Sequence, residues 1–142
     1  MSPRTLFLSR LIGLYCIVAA LAMFVRGQAM VGTITLMLGD APLMFFLGVV
    51  TLSAGLAMVL AHNLWSGGAL PVIVTVVGWL TLIKGVLFLT LTPEAETELF
   101  LKGLHYRGFF HFYAAISLAI GVYLTHGGFR HARIERLFRR AP

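Results

Sequence analysis

Charge is what this chain has least of. Asp, Glu, Lys and Arg together make up 11% of its 142 residues, and none of them occurs from Ala41 to Ile83. Soluble domains carry about 25%, and a mean hydropathy of +0.93 is too apolar for one. Cysteine is almost absent. Cys16 stands alone in an apolar run, which excludes an intrachain disulfide and a thiolate metal cluster. Carboxylates number five against eleven cations, and Asp40 and every Glu fall at or beyond the ends of apolar stretches. A proton-coupled exporter of the small four-helix kind needs a membrane-embedded carboxylate for which protons and substrate compete. That chemistry has no residue here to carry it.

The apolar residues that remain are gathered into four runs, at 6–25, 41–61, 70–91 and 108–125. A membrane-spanning helix takes about 20 such residues. The expected fold is therefore all-α: a polytopic membrane protein, residues 1–126 forming a four-transmembrane-helix bundle and 127–142 a basic tail. The opening run, with Arg4 and Arg10 before an apolar core, also has the outline of a signal peptide; it is read as a first helix. Between the first two spans, "RGQAMVGTITLMLGD" is too short and polar to cross, which leaves an interfacial or a re-entrant segment. Asp40 is placed to cap the second span, with Pro42 in its first turn. Between the last two, "TPEAETELFLKG" reads as a short surface helix. Thr92 is its N-cap, Pro93 its first residue, and Glu94 and Glu96 lie at the positive end of the dipole. Glu98 and Lys102 are four apart in the favourable order, and Gly103 suits the stop. The middle connection, "HNLWSGGAL", is a tight turn.

The formal charge of +6 could suggest a nucleic-acid partner, but its location argues for a bilayer instead. Arg130, Arg133, Arg136, Arg139 and Arg140 crowd the tail "FRHARIERLFRRAP" directly after a span. Such clusters are retained in the cytoplasm, where they meet anionic headgroups. Together with Arg4 and Arg10 they predict cytoplasmic termini. The 62–70 turn is then cytoplasmic too, and the Glu-rich helix faces outward.

An internal pattern recurs in the four spans: "GLYCIVAA" from Gly13, "GVVTLSAG" from Gly48, "GWLTLIKG" from Gly78 and "AAISLAIG" from Ala114. Each has a small residue, then Cys, Thr or Ser at the fourth place, Ile or Leu at the fifth, and a small residue at the eighth. Small residues seven apart share one stripe of a helix and let backbones approach. Gly13, Ala20, Gly48, Gly55, Gly78, Gly85, Ala114 and Gly121 are therefore the expected helix-packing positions; chance is the competing account. Gly13 to Gly78 is 65 residues and Gly48 to Ala114 is 66, a spacing that suggests a duplicated hairpin of span, surface helix and span.

Candidate chemistry is sparse. Lys84 is a cation where hydrocarbon is expected. By helix rise it lies about 4 Å outward of its motif's centre, whereas Asp40 and Glu94 lie about 17 Å out or slightly more, beyond the reach of a lysine stem. Either Lys84 snorkels along the bundle, or it forms an outer-half pocket with Trp79, Arg107, His111 and Tyr113 for an anionic or polar lipophilic ligand. His105, Arg107 and His111 also fit a plain interfacial belt. His62, Asn63 and Trp65 fit a span end, with Asn at the helix C-terminus and Trp at headgroup depth. A sharper possibility pairs His62 with His126 as ligands of a haem b between helices; both lie at helix ends. Ser53, Ser117 and Cys16 have no histidine or carboxylate at their level to activate them, and hydroxyls in such helices commonly bond to a backbone carbonyl.

"HNLW" followed by "GWLTLIKG" resembles a signature of small bacterial four-span inner-membrane proteins. In these, His-Asn-x-Trp closes one span and Gly-Trp-x-x-x-x-Lys-Gly lies in the next. The resemblance covers residues 61–85 and implies a bacterial inner membrane, with no activity attached. A looser likeness to acid-resistance membrane proteins lies in the Gly-spaced hairpins. The expected role is non-enzymatic, through self-association or as an accessory subunit of another membrane protein. Binding or transport of a ligand at Lys84 is the alternative, and a haem protein comes third.

Overall fold

The computed structural model describes the backbone of residues 2–103 and 106–140, and the side chains of 2–99, 102 and 109–130. Among these residues there are helices and turns and no strand. The helices are α1 (Pro3–Arg26), α2 (Gln28–Leu38), α3 (Ala41–Ala61), α4 (Ala69–Thr90), α5 (Pro93–Thr97), running into a wider π-type stretch at Glu98–Gly103, and α6 (Tyr106–Arg140). Helices α1, α3 and α4, with the Phe109–Arg130 part of α6, are long and apolar enough to cross a membrane. The chain is a multi-pass membrane protein with an all-α fold.

Three helices begin in the same way, with a short oxygen-bearing cap followed by proline. Ser2 Oγ accepts from Thr5 N at 3.2 Å, Asp40 Oδ1 from Leu43 N at 3.0 Å, and Thr92 Oγ1 from Ala95 N at 3.4 Å. Each cap satisfies a first-turn N–H that has no partner inside its helix, next to a proline that needs none. Helix α1 stops at Gly27, whose φ of 51° is left-handed backbone that favours glycine. The chain then turns directly into α2. At eleven residues, or about 16 Å, α2 is too short to cross, and it buries Val31 and Leu38. The surface helix expected after Thr92 is α-helical only to Thr97, then widens through Gly103. Lys102 Nζ still meets Glu98 Oε1 at 2.9 Å.

The spans pair as α1 with α6 and α3 with α4, and α1 meets α4 between them. Glycines set both close contacts. A β-carbon on Gly55 would collide with the backbone of Leu82, and one on Gly85 with the backbone of Leu52. On the other pair, Gly13 faces Thr125 and the Gly121 carbonyl, while Gly121 faces Ile17 and the Gly13 carbonyl. All eight small residues of the repeated pattern are buried. In that pattern α1 corresponds to α4 and α3 to α6, so the α3–α4 and α6–α1 pairs are equivalent. Gly121 against Ile17 repeats Gly55 against Leu82. Parallel repeats about an axis along the membrane normal have this relation. Between the pairs lies a core of Ile12, Leu70, Val74 and Leu124.

Helix α6 does not break where the fourth span was expected to give way to the tail. It runs through Gly127 and Gly128 as one helix of 35 residues. Tertiary contacts explain why two glycines are tolerated there. A β-carbon on Gly127 would press on Leu70, and the Gly128 carbonyl accepts from Arg10 Nε and Nη2 at 3.1 and 3.0 Å. The same guanidinium lies 4.6 Å over the Phe129 ring. The start of α1, the end of the α6 span and the 62–68 turn therefore share one end of the bundle. Helices α2 and α5, with the first turns of α6, occupy the other. The side chains of Arg133, Arg136, Arg139 and Arg140 lie outside the described residues.

Candidate functional site

Lys84 lies seven residues after Val77 on α4, so the two share a stripe. Val77 packs against the Ile12, Leu70, Val74 and Leu124 core. Lys84 continues that bundle-facing stripe, yet it is exposed: the packing that is closed at Val77 is open half a span further along. The counterpart of Lys84 in the repeat is Ala19 on α1. Lys84 Nζ lies 5.1 Å over the Phe88 ring, one turn farther out.

The other residues expected around Lys84 are divided between the two ends. Trp79 leaves α4 about 140° around the helix from Lys84. Its indole N–H donates to Asn63 Oδ1 at 3.4 Å, which joins it to the 62–68 turn. His111 is exposed near the start of α6. Tyr113 packs with Met30 around a small core of Met23, Val31, Phe110 and Ala114. That core seats α2 and the beginning of α6 on the end of α1. The side chains of Arg107 and His105 lie outside the described residues.

At the opposite end, His62 is buried and its Nε2 lies 3.3 Å from Pro71 O. A carbonyl accepts only, so Nε2 carries the hydrogen and donates. Thr75 Oγ1 donates to Leu64 O and accepts from Leu64 N, both at 3.0 Å. These bonds and the left-handed Gly67 and Gly68 fix the turn on the first turns of α4. Trp65 is exposed, at the level where indoles meet headgroups. His62 lines a cleft with Ser2, Pro3, Arg4, Ala61, Asn63 and Leu64. His126 lines a different, apolar groove between Phe24 and the exposed face of α6. The two imidazoles envisaged as haem ligands thus occupy separate sites, one of them tied to Pro71.

The hydroxyls of Ser53, Thr81 and Ser117 engage backbone. Ser53 Oγ donates to Val49 O at 2.8 Å and Thr81 Oγ1 to Val77 O at 2.8 Å, each within its own helix. Ser117 Oγ crosses to Cys16 O at 3.3 Å. No group of three or more His, Cys, Asp or Glu that could hold a metal occurs among the described residues.

Two features were not singled out from sequence. Arg10 clasps Gly128 across 118 positions, a relation that no local spacing encodes. Glu96 is buried, and its Oε2 has no hydrogen-bond partner among the described residues. Burial pushes its carboxyl above the ordinary range. Nearby Glu98 is held below that range by the Lys102 ammonium. From sequence, Glu96 looked like a dipole-favouring first-turn acid no different from Glu94.

No family model, curated protein or solved structure matches the chain.

Proposed function

We propose that this is a non-enzymatic protein of the bacterial inner membrane that acts by associating with a second membrane-embedded protein, in the first instance another copy of itself. The face of α3 turned away from α4 carries the reading. Ser53 and Ala57 lie about 200° around the helix from Gly55, the α4 contact. They are exposed and spaced small-x-x-x-small, between exposed Phe46 and Leu60. Within the chain, helices that meet closely do so on glycine and alanine. Association of helices in lipid rests on such small-residue faces, because hydrocarbon supplies no hydrophobic drive of its own. Ser53 already donates to Val49 O, so its hydroxyl adds no unmet polar group to an interface there. Both termini are cytoplasmic in this reading, supported by Arg4, Arg10, Arg130 and the basic residues after them. The bacterial inner membrane is supported by the His-Asn-x-Trp and Gly-Trp-x-x-x-x-Lys-Gly resemblance. Light scattering of the purified protein tests the association. The expected protein mass is at least twice the 15.6 kDa of one chain, falling to one chain in Ala57→Trp; a wild-type monomer overturns the proposal.

A second reading has its own observation. The stripe that is packed at Val77 and open at Lys84 supports binding of an anionic or polar lipophilic ligand in that half of the bundle.

A further inference from the structure

We infer that the cleft between the start of α1 and the end of α3 is a binding site for a phosphate group, most directly the headgroup of an anionic lipid. Its walls are Ser2, Pro3 and Arg4 on one side and Ala61, His62, Asn63 and Leu64 on the other. At about 420 Å³ it is within the size range of ligand pockets.

The electrostatics of this end are one-sided. Every carboxylate whose side chain is described (Asp40, Glu94, Glu96 and Glu98) lies at the opposite end of the bundle. Arg4 is exposed, and its guanidinium makes no hydrogen bond or ion pair among the described residues. The same wall is the positive end of the α1 dipole. Across the cleft, His62 is buried with Nε2 donating to Pro71 O. That bond fixes the ring on the cleft wall. Asn63 adds an amide, its Oδ1 already oriented by the Trp79 indole. The Arg4 guanidinium and the Asn63 amide, on the two walls of a cleft lined by no acid, form a recognition set for a phosphate.

The surroundings favour a phosphate that carries an acyl chain. Arg4, Leu11 and Tyr15 share one stripe of α1 by spacing, and Leu11 and Tyr15 are exposed. Leu60 lies exposed just before the cleft on α3, and Trp65 just after it. A headgroup in the cleft would have apolar side chains running from it toward the bilayer centre.

The test uses the full chain in a neutral detergent, with thermal unfolding as the readout. It is titrated with phosphatidylglycerol, with phosphatidylcholine of the same chains, and with inorganic phosphate. Phosphatidylglycerol is expected to raise the melting temperature and phosphatidylcholine to leave it unchanged. Arg4→Gln, which alters a side chain with no hydrogen bond or ion pair among the described residues, is expected to move the phosphatidylglycerol midpoint up about tenfold. Arg26→Gln, at the far end of α1, is expected to leave it in place. If inorganic phosphate alone reproduces the full effect, the anion site stands and its ligand is a soluble phosphate. Equal responses to the two lipids, or an Arg4→Gln midpoint equal to that of wild type, would overturn the site.

Discussion

Gly85 lies against the backbone of Leu52 with no room between them for a β-carbon. The reciprocal contact, Gly55 on Leu82, fixes the same pair of helices one turn away. Two such contacts set both the spacing and the register of α3 against α4. A bulky side chain there must push whole helices apart, because the obstructing atoms are backbone. Gly85→Leu is therefore expected to destabilise the protein by at least the about 1–3 kcal/mol typical of overpacking, seen as a lowered melting temperature in detergent. Val86→Leu, on the exposed neighbouring position, is expected to be nearly neutral. Equal melting temperatures for the two variants would show that the glycine stripe does not hold α3 to α4.

Glu96 is expected to make the packing of α5 sensitive to pH. Its carboxyl is buried with an oxygen that has no partner among the described residues, and burial raises its pKa above the ordinary 4.5. The packed state thus favours the protonated acid. Packing of α5 is fully supported below the ordinary value and weakens as pH rises from 4.5 to the raised value. Above that it is constant again. Amide hydrogen exchange over residues 93–97, corrected for intrinsic rates, should show protection falling across this window. Glu96→Gln should stay protected throughout, since it cannot ionise. An unchanged pH profile in that variant would assign the sensitivity to another group.

Lys84 separates the second functional reading from simple snorkelling. Lys84→Met keeps the bulk of the stem and removes the charge. If the opening beside Val77 holds an anionic ligand, that ligand should be present by mass spectrometry in wild-type preparations and missing from the variant. Unchanged ligand content, with an equal or higher melting temperature, would leave Lys84 as a snorkelling side chain only.

The proposed membrane orientation rests on the cations at the end shared by the termini and the 62–68 turn. A fluorescent reporter that matures only in the cytoplasm should be active when fused after Pro142. A phosphatase that needs the periplasm should be active at Lys102, beside the outer helices. The reverse pattern would turn the whole bundle over and expose the His62 cleft to the periplasm.

Much of the architecture was legible in the sequence because it depends on what a lipid environment forbids. Apolar length marked the spans, and the oxygen-then-proline starts at Asp40 and Thr92 marked where helices begin; the same start at Ser2 was not singled out. Small residues seven apart identified faces that approach closely, since a missing side chain is itself the signal. They could not say which helix approaches which. That Gly13 faces Thr125, or that Gly85 faces Leu52, depends on docking rather than spacing. That α6 runs on through Gly127 and Gly128 was not legible, because their contacts, Leu70 and Arg10, lie far away in the chain. Trp79 was grouped with Lys84 by proximity in sequence, but five positions turn a helix by about 500°, and Asn63 holds its indole at the other end. Glu96 resembled its neighbours because burial of a single acid in a short amphipathic segment leaves no local mark.

Association through the far face of α3 is tested most directly by cross-linking in intact membranes. With Cys16 replaced by Ala, Ala57→Cys places the chain's single thiol on that face, and exposed Val122 on α6 serves as the control position. Disulfides form only when two Cα atoms come within about 7 Å, so oxidation reports the geometry of the interface as well as its existence. The account predicts a disulfide-linked dimer from Ala57→Cys under mild oxidation and a monomer from Val122→Cys. A monomeric Ala57→Cys, or equal cross-linking at both positions, would contradict it.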